Sequence, residues 1–248
     1  MQHYLNFQLY GVLASWGEQA VGESRHSATH PSRSAILGLL SAALGIRREQ
    51  EQALKCLSDS VAIGFKVLHS GLILKDYHTV QVPAEDKKNK HYYTRRDELA
   101  RSGKRPNTVL SSREYRQDAL ALAAVWLNEQ ANHSLEELEQ ALKKPQFQLY
   151  LGRKSCPLSL PVNPKVIAAD SFISALEQYP VIEAEQKKYL GVENITYYWE
   201  KSPRSGIENY SYRVPRYDQP LNRKHWQFCP RDEYVLLATG DDHVSKSR

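Results

Sequence analysis

Residues 3–10 alternate between apolar and polar side chains, with Leu5, Phe7 and Leu9 on one face and Tyr4, Asn6, Gln8 and Tyr10 on the other. A period of two predicts a half-buried strand. A polar loop over 15–31 follows. Residues 32–45 then begin with serines suited to capping and place Ile36, Leu37, Leu40 and Leu44 on one face, so a helix is predicted that stops at Gly45. A second short helix is expected over 49–57. Alternation returns over 61–68 through Val61, Ile63, Phe65 and Val67, and Ser70-Gly71 turns the chain back. Residues 72–80 predict a third extended segment, and 116–127, ending in Val125-Trp126-Leu127, a buried strand. Ser134-Leu-Glu-Glu137 is a capping box for a helix that presents Leu135, Leu138 and Leu142 and stops before Pro145. Residues 147–151 predict one more short strand.

In order these elements are strand, helix, strand, a polar insertion, strand, helix, strand. That is the split βαβ arrangement of an α+β, ferredoxin-like (RRM-like) domain, expected over residues 1–160. Beyond Pro161 a capped helix over 170–179 is followed by short aromatic runs, among them Tyr197-Tyr-Trp199, Tyr210-Ser-Tyr212 and His225-Trp-Gln-Phe228. Residues 161–248 are therefore expected to form a small β-rich region.

Composition changes this picture in one respect. The 248 residues are 41% hydrophobic and 25% charged, ordinary values for a packed domain, but the net charge of +5 is not spread evenly. Between 87 and 105 lie Lys87, Lys88, Lys90, Arg95, Arg96, Arg101, Lys104 and Arg105 against Asp97 and Glu98, a local balance of +6 that leaves −1 for all the rest. Cations grouped in this way neutralise phosphates, and the interleaved Tyr92 and Tyr93 can stack on bases. Long insertions of this kind are usually functional or disordered. Fifteen tyrosines against five phenylalanines point the same way, toward rings whose hydroxyls stay wet. The cysteines Cys56, Cys156 and Cys229 are widely separated and form no CxxC pair, which argues against a zinc ribbon or a disulfide framework and for a reducing, cytoplasmic setting. Neither a signal peptide nor a membrane span is predicted, and no cofactor is implied.

Three further places carry candidate chemistry. In Tyr150-Leu-Gly-Arg-Lys-Ser-Cys-Pro157, Gly152 permits close approach of a ligand while Arg153 and Lys154 bring two cations. In the loop 22–33, Arg25, His26, His30 and Arg33 precede a helix N-terminus, where anions are favoured; the two histidines four apart also raise a metal site, without a third ligand nearby. Finally, Lys90-His91-Tyr92 and Lys224-His225 contain residue types that a metal-independent ribonuclease needs, although adjacent residues seldom converge on one atom.

The stretches Gly11-Val-Leu-Ala-Ser-Trp-Gly17, Pro31-Ser-Arg-Ser-Ala-Ile-Leu-Gly-Leu-Leu-Ser-Ala-Ala-Leu-Gly-Ile46, Asp76-Tyr-His-Thr-Val80, Arg113-Glu-Tyr115 and Tyr150-Leu-Gly-Arg-Lys-Ser-Cys-Pro-Leu158 resemble, in order and spacing, the CasD family, the small RAMP-superfamily subunit of type I-E CRISPR Cascade. The last third matches more loosely, through Asp218-Gln-Pro220 and the run from Arg231 to Leu236. The resemblance implies a ferredoxin-like domain with a thumb-like β-hairpin insertion at about 76–113. It also implies a non-catalytic role in antiviral defence: holding the 5′ handle of the CRISPR RNA and capping one end of the complex. The implied partners are the large subunit and the adjacent backbone subunit, with target DNA met through the assembly and no membrane. Carried over by position, Trp16, Arg25, Arg33, Tyr77, His78, Arg113, Tyr150, Gly152, Arg153 and Lys154 are expected near RNA. For Lys87, Lys88, Lys90, Arg95, Arg96, Lys104 and Arg105 only the thumb's role carries over. Type I-C relatives cleave CRISPR RNA through tyrosine, lysine and histidine, which is the alternative reading. The type I-E branch leaves cleavage to a separate endonuclease.

Overall fold

In the computed structural model of the chain, strand β1 (Gln2–Tyr10) is buried on both faces from Tyr4 to Leu9. Residues 1–20, 22–82, 93–100, 107–180, 195–222, 225 and 227–238 are described. The expected water-facing side of β1 is covered by the C-terminal half of the chain, and its polar residues are satisfied there. Asn6 Nδ2 donates to the Ala175 carbonyl at 3.3 Å and Gln8 Nε2 to that of Pro161 at 2.8 Å, as buried amides require.

After the short strands β2 (Leu13–Ala14) and β3 (Ser24–Arg25) come α1 (Arg33–Leu44) and α2 (Glu51–Ser60), then β4 (Val61–His69). Helix α1 matches its sequence signals: Ser32 Oγ accepts the Ala35 N–H, and Gly45 ends the helix with φ of 77°. A long hairpin follows, β5 (Leu72–Val82) and β6 (Asn107–Gln117), paired from Leu72–Gln117 to Val82–Asn107. The six-residue helix α3 (Arg95–Ala100) lies between its strands. Then come β7 (Leu120–Leu127), α4 (Leu135–Lys143) with the expected capping box at Ser134 and Glu137, β8 (Lys165–Ala169), α5 (Phe172–Gln178), β9 (Thr196–Glu200), β10 (Tyr212–Asn222) and β11 (Gln227–Leu237).

Among the described residues the main sheet has seven strands in the order β10-β11-β9-β4-β7-β1-β8. Strands β1 and β4 are both antiparallel to β7 between them, so they are parallel to each other and joined by the α1–α2 crossover. One face packs Leu5, Phe7, Ile63, Phe65 and Val125 against α1 and α4. The other packs Leu120, Leu122 and Trp126 against Phe172 and Leu176 of α5. Both faces of β7 are therefore dry, which is why its sequence is almost unbroken apolar. The second sheet is built on β6, with β5 along one side and β2 and β3 along the other.

Three expectations change. The run 116–127 is two strands, because Asp118 adopts φ of 55° and turns the chain between β6 and β7; aspartate tolerates that conformation. Residues 147–151 form a loop, with only a bridge between Tyr150 and Pro157, and the strand beside β1 is β8. Residues beyond 161 supply β8 to one edge of the main sheet and β9, β11 and β10 to the other. They extend the first domain's sheet. No helix among the described residues is long and apolar enough to cross a membrane.

Candidate nucleic-acid interface

The turn at Gly152 is anchored from both sides. The Leu151 N–H donates to the Cys156 carbonyl at 2.8 Å, Cys156 N–H to that of Arg153 at 2.9 Å, and Ser15 N–H to that of Leu151 at 3.0 Å. Leu151 and Cys156 are fully buried. Gly152 has φ of 82°, and a Cβ there would lie 1.8 Å from the Ser15 carbonyl oxygen. Only glycine fits. Arg153 and the exposed Lys154 are thereby held at the tip of a rigid turn.

Arg153 lies with its guanidinium 4.8 Å from the centre of the Tyr115 ring, and its Nη1 donates to the Glu114 carbonyl at 3.4 Å. Tyr115 and Arg113 share one face of β6, because residues two apart on a strand do. The parallel register of β3 sets Arg25 beside Arg113. Arg25, Arg113 and the Tyr115 ring that Arg153 covers therefore share one face of the second sheet, Arg25 and Arg113 exposed and Arg153 partly so, with Arg25 Nη1 donating to the Gly22 carbonyl. Asp76 opposes Arg113 across the hairpin and pairs with His78. Tyr77, 64% exposed, stands on the opposite face opposite Ser112. On that face Glu114 accepts from the Ser27 N–H at 3.3 Å and lies 3.1 Å from His26 Nδ1.

Two expected RNA contacts are interior residues instead. Trp16 is 3% exposed and packs in the core, its backbone N–H donating to Ser27 Oγ at 3.0 Å. Arg33 is 4% exposed and donates to Glu200 at 2.5 Å and to the carbonyls of Ser58 and Val61 at 2.6 and 2.9 Å. A buried guanidinium demands such partners, so neither side chain faces solvent. Arg95 and Arg96 are exposed on α3, and Arg95 donates to the Gln81 carbonyl at the end of β5. Lys87, Lys88, Lys90, Lys104 and Arg105, with His91, Tyr92 and Lys224, lie outside the described residues.

The loop before α1 has another role. His30 is buried, stacks on Tyr198 with centroids 3.7 Å apart, and lies 2.9 Å from Glu233. Arg231 grips Asp218 through two bonds of 2.6 and 2.9 Å and also reaches Glu233 at 2.7 Å, while Arg216 lies 3.3 Å from Glu233. Burial favours the neutral form of His30, partly opposed by Glu233. Burial would raise the Glu233 carboxyl, but His30, Arg216 and Arg231 outweigh it and hold it at about 2. His26, exposed beside Glu114, is directed elsewhere, so the two histidines do not converge. Sequence reading missed this network because its acids lie 167–203 residues from their N-terminal partners. The stretches at Asp218-Gln-Pro220 and Arg231 were the available signal.

Next to the Gly152 turn a cleft of about 1130 Å³ opens between α1, the loop 147–153 and β10, with Tyr150, Gly152 and Arg153 in its lining.

A family model described as CRISPR-associated protein (Cas_Cas5) matches residues 4–232. The chain belongs to the Cas5 family. The CRISPR system Cascade subunit CasD of Escherichia coli (strain K12) is 32% identical over 251 residues, covering 97% of this chain and 99% of that protein. Among solved structures, a chain of a CRISPR RNA-guided surveillance complex superposes with a TM-score of 0.61 at 21% identity, covering 95% of this Cas5 chain and 90% of its own length. A crystal structure of a Cas protein gives 0.56 at 24% identity, with 96% of each chain covered. At these identities the two structures speak for the shared mixed α+β fold.

Proposed function

We propose that this Cas5 chain is a non-catalytic, CRISPR RNA-binding subunit of a Cascade surveillance complex, holding the 5′ handle of the guide and capping one end of the assembly. The carrying observation is the convergence of Arg25, Arg113 and Arg153 on one sheet face beside Lys154 at the locked Gly152 turn. Guanidinium groups on a rigid backbone present fixed forks to phosphate oxygens, and phosphate contacts of this kind position a strand. The relative's name, a Cascade subunit, supports the assembly, and the order β4-β7-β1-β8 supports the ferredoxin-like reading of the domain. The β5–β6 hairpin carries the basic stretch 87–105 between its strands and supports a thumb that lies along the RNA. The large subunit and the adjacent backbone subunit are the partners that a capping position requires.

Handle-RNA binding by the double variant Arg153→Ala/Lys154→Ala tests this. Affinity should fall and its dependence on salt should flatten, since each lost phosphate contact removes about 0.7 from the slope on a single strand. A double variant that binds like the wild type, with the same slope, removes the assignment.

A further inference from the structure

A carboxylate beside a phosphate-binding surface repels the ligand, so Glu114, between Arg113 and Tyr115 on β6, calls for a reason. Its side chain is only 16% exposed and lies on the face opposite Arg113, since successive residues of a strand alternate. There Oε2 accepts the Ser27 N–H at 3.3 Å and Oε1 lies 3.1 Å from His26 Nδ1. Arg116, two residues on and so on the same face, donates to the carbonyls of Ser27 and Ala28, both at 3.1 Å. One side chain takes a backbone N–H and the other gives to two backbone carbonyls. Bonds of this kind to charged groups are the strong ones.

What the pair holds in place is Arg25. Strand β3 is two residues long and is laid beside β6. So short and polar a ladder specifies its own register weakly, and a slip of one residue would turn Arg25 to the other face. The bond from Arg25 Nη1 to the Gly22 carbonyl keeps the guanidinium with its loop. Arg153 is held differently. It donates to the backbone carbonyl of Glu114, which no change of the Glu114 side chain removes.

We propose that Glu114, together with Arg116, is a positioning residue of the RNA-binding surface: from the far side of the sheet it fixes segment 24–28 and so sets Arg25 beside Arg113. The inference rests on the RNA-binding reading and adds what places one of its contacts. Reach and charge have opposite consequences here. Losing the grip lowers affinity, whereas losing mere repulsion would raise it.

Variants of the full chain separate the two, read by salt-dependent binding of single-stranded handle RNA and by melting temperature. Glu114→Asp keeps the charge but is one methylene too short to hold the Ser27 N–H. It should lose affinity about tenfold and about 0.7 of the salt slope, the loss expected of Arg25→Ala. Glu114→Gln keeps an acceptor at full length and should retain the wild-type affinity and slope. Arg116→Lys, which has no fork to span two carbonyls, should repeat the Glu114→Asp result. In an Arg25→Ala background Glu114→Asp should add nothing, because both act on one contact. A merely structural role would lower the melting temperature and leave the slope of the folded fraction unchanged, which overturns the inference. Wild-type binding by Glu114→Asp, a loss that adds in full to that of Arg25→Ala, or tighter binding by Glu114→Gln with Glu114→Asp unchanged also overturns it. Each of these results leaves the RNA-binding reading standing, since Arg153 and Lys154 are untouched. A wild-type chain that does not bind handle RNA overturns both.

Discussion

The carboxylate of Asp218 accepts the backbone N–H of Arg33 at 2.7 Å, so the N-terminus of α1 is closed by an anion from the protein itself. The same carboxylate takes both bonds of the Arg231 fork. A helix start that would attract a phosphate is thus used to fasten the β10–β11 hairpin onto the first half of the chain.

Asp218→Ala takes the acceptor away from the Arg33 N–H and leaves the largely buried Arg231 with fewer partners. Breaking one side of such a pair costs about 3–5 kcal/mol. Chemical denaturation should show a loss of that order, while the salt slope of RNA binding by the folded fraction stays as in wild type.

Acid should destabilise the fold in two steps. The folded His30 is held below its ordinary 6.5 and Glu233 is held at about 2 against an ordinary 4.5. In both cases the unfolded chain binds protons more readily, so stability falls as pH drops. The first loss begins near 6.5; the second runs from about 4.5 toward 2. Melting temperature against pH should show both. His30→Gln should remove the upper step and Glu233→Gln should flatten the lower one, at reduced overall stability.

Gly152→Ala should cost more than about 2 kcal/mol, combining a left-handed backbone with a clash against the Ser15 carbonyl. Gly152→Asn should fare no better, although asparagine accepts the backbone angle, because its Cβ meets the same oxygen. Thermal melts of the two variants check this.

Arg113→Ala and Arg33→Ala should separate binding from folding. The exposed Arg113 should lower RNA affinity and the salt slope with little change in melting temperature. The buried Arg33 should lower stability, because Glu200 loses its guanidinium partner. Parallel binding and denaturation curves distinguish them.

If the chain is not a nuclease, purified protein incubated with repeat RNA and no metal leaves it intact. Cleavage abolished by His91→Ala would establish the alternative reading.

Much of this was written locally. Ser32, Gly45 and the Ser134–Glu137 box marked the ends of α1 and the start of α4, because caps act within a few residues. The alternation of β4 and the turn at Ser70-Gly71 were equally legible, and Gly152 with Arg153 stood out by residue type alone. What the sequence left open depended on partners distant along the chain. Whether Arg33 meets phosphate or Glu200 is decided by a strand more than 160 residues away. Burial of β1's polar face, replacement of the 147–151 strand by β8, and the meeting of Arg25 with Arg113 all follow from sheet order and register. Those are set by long-range hydrogen bonding between strands, and no local pattern of side chains records them.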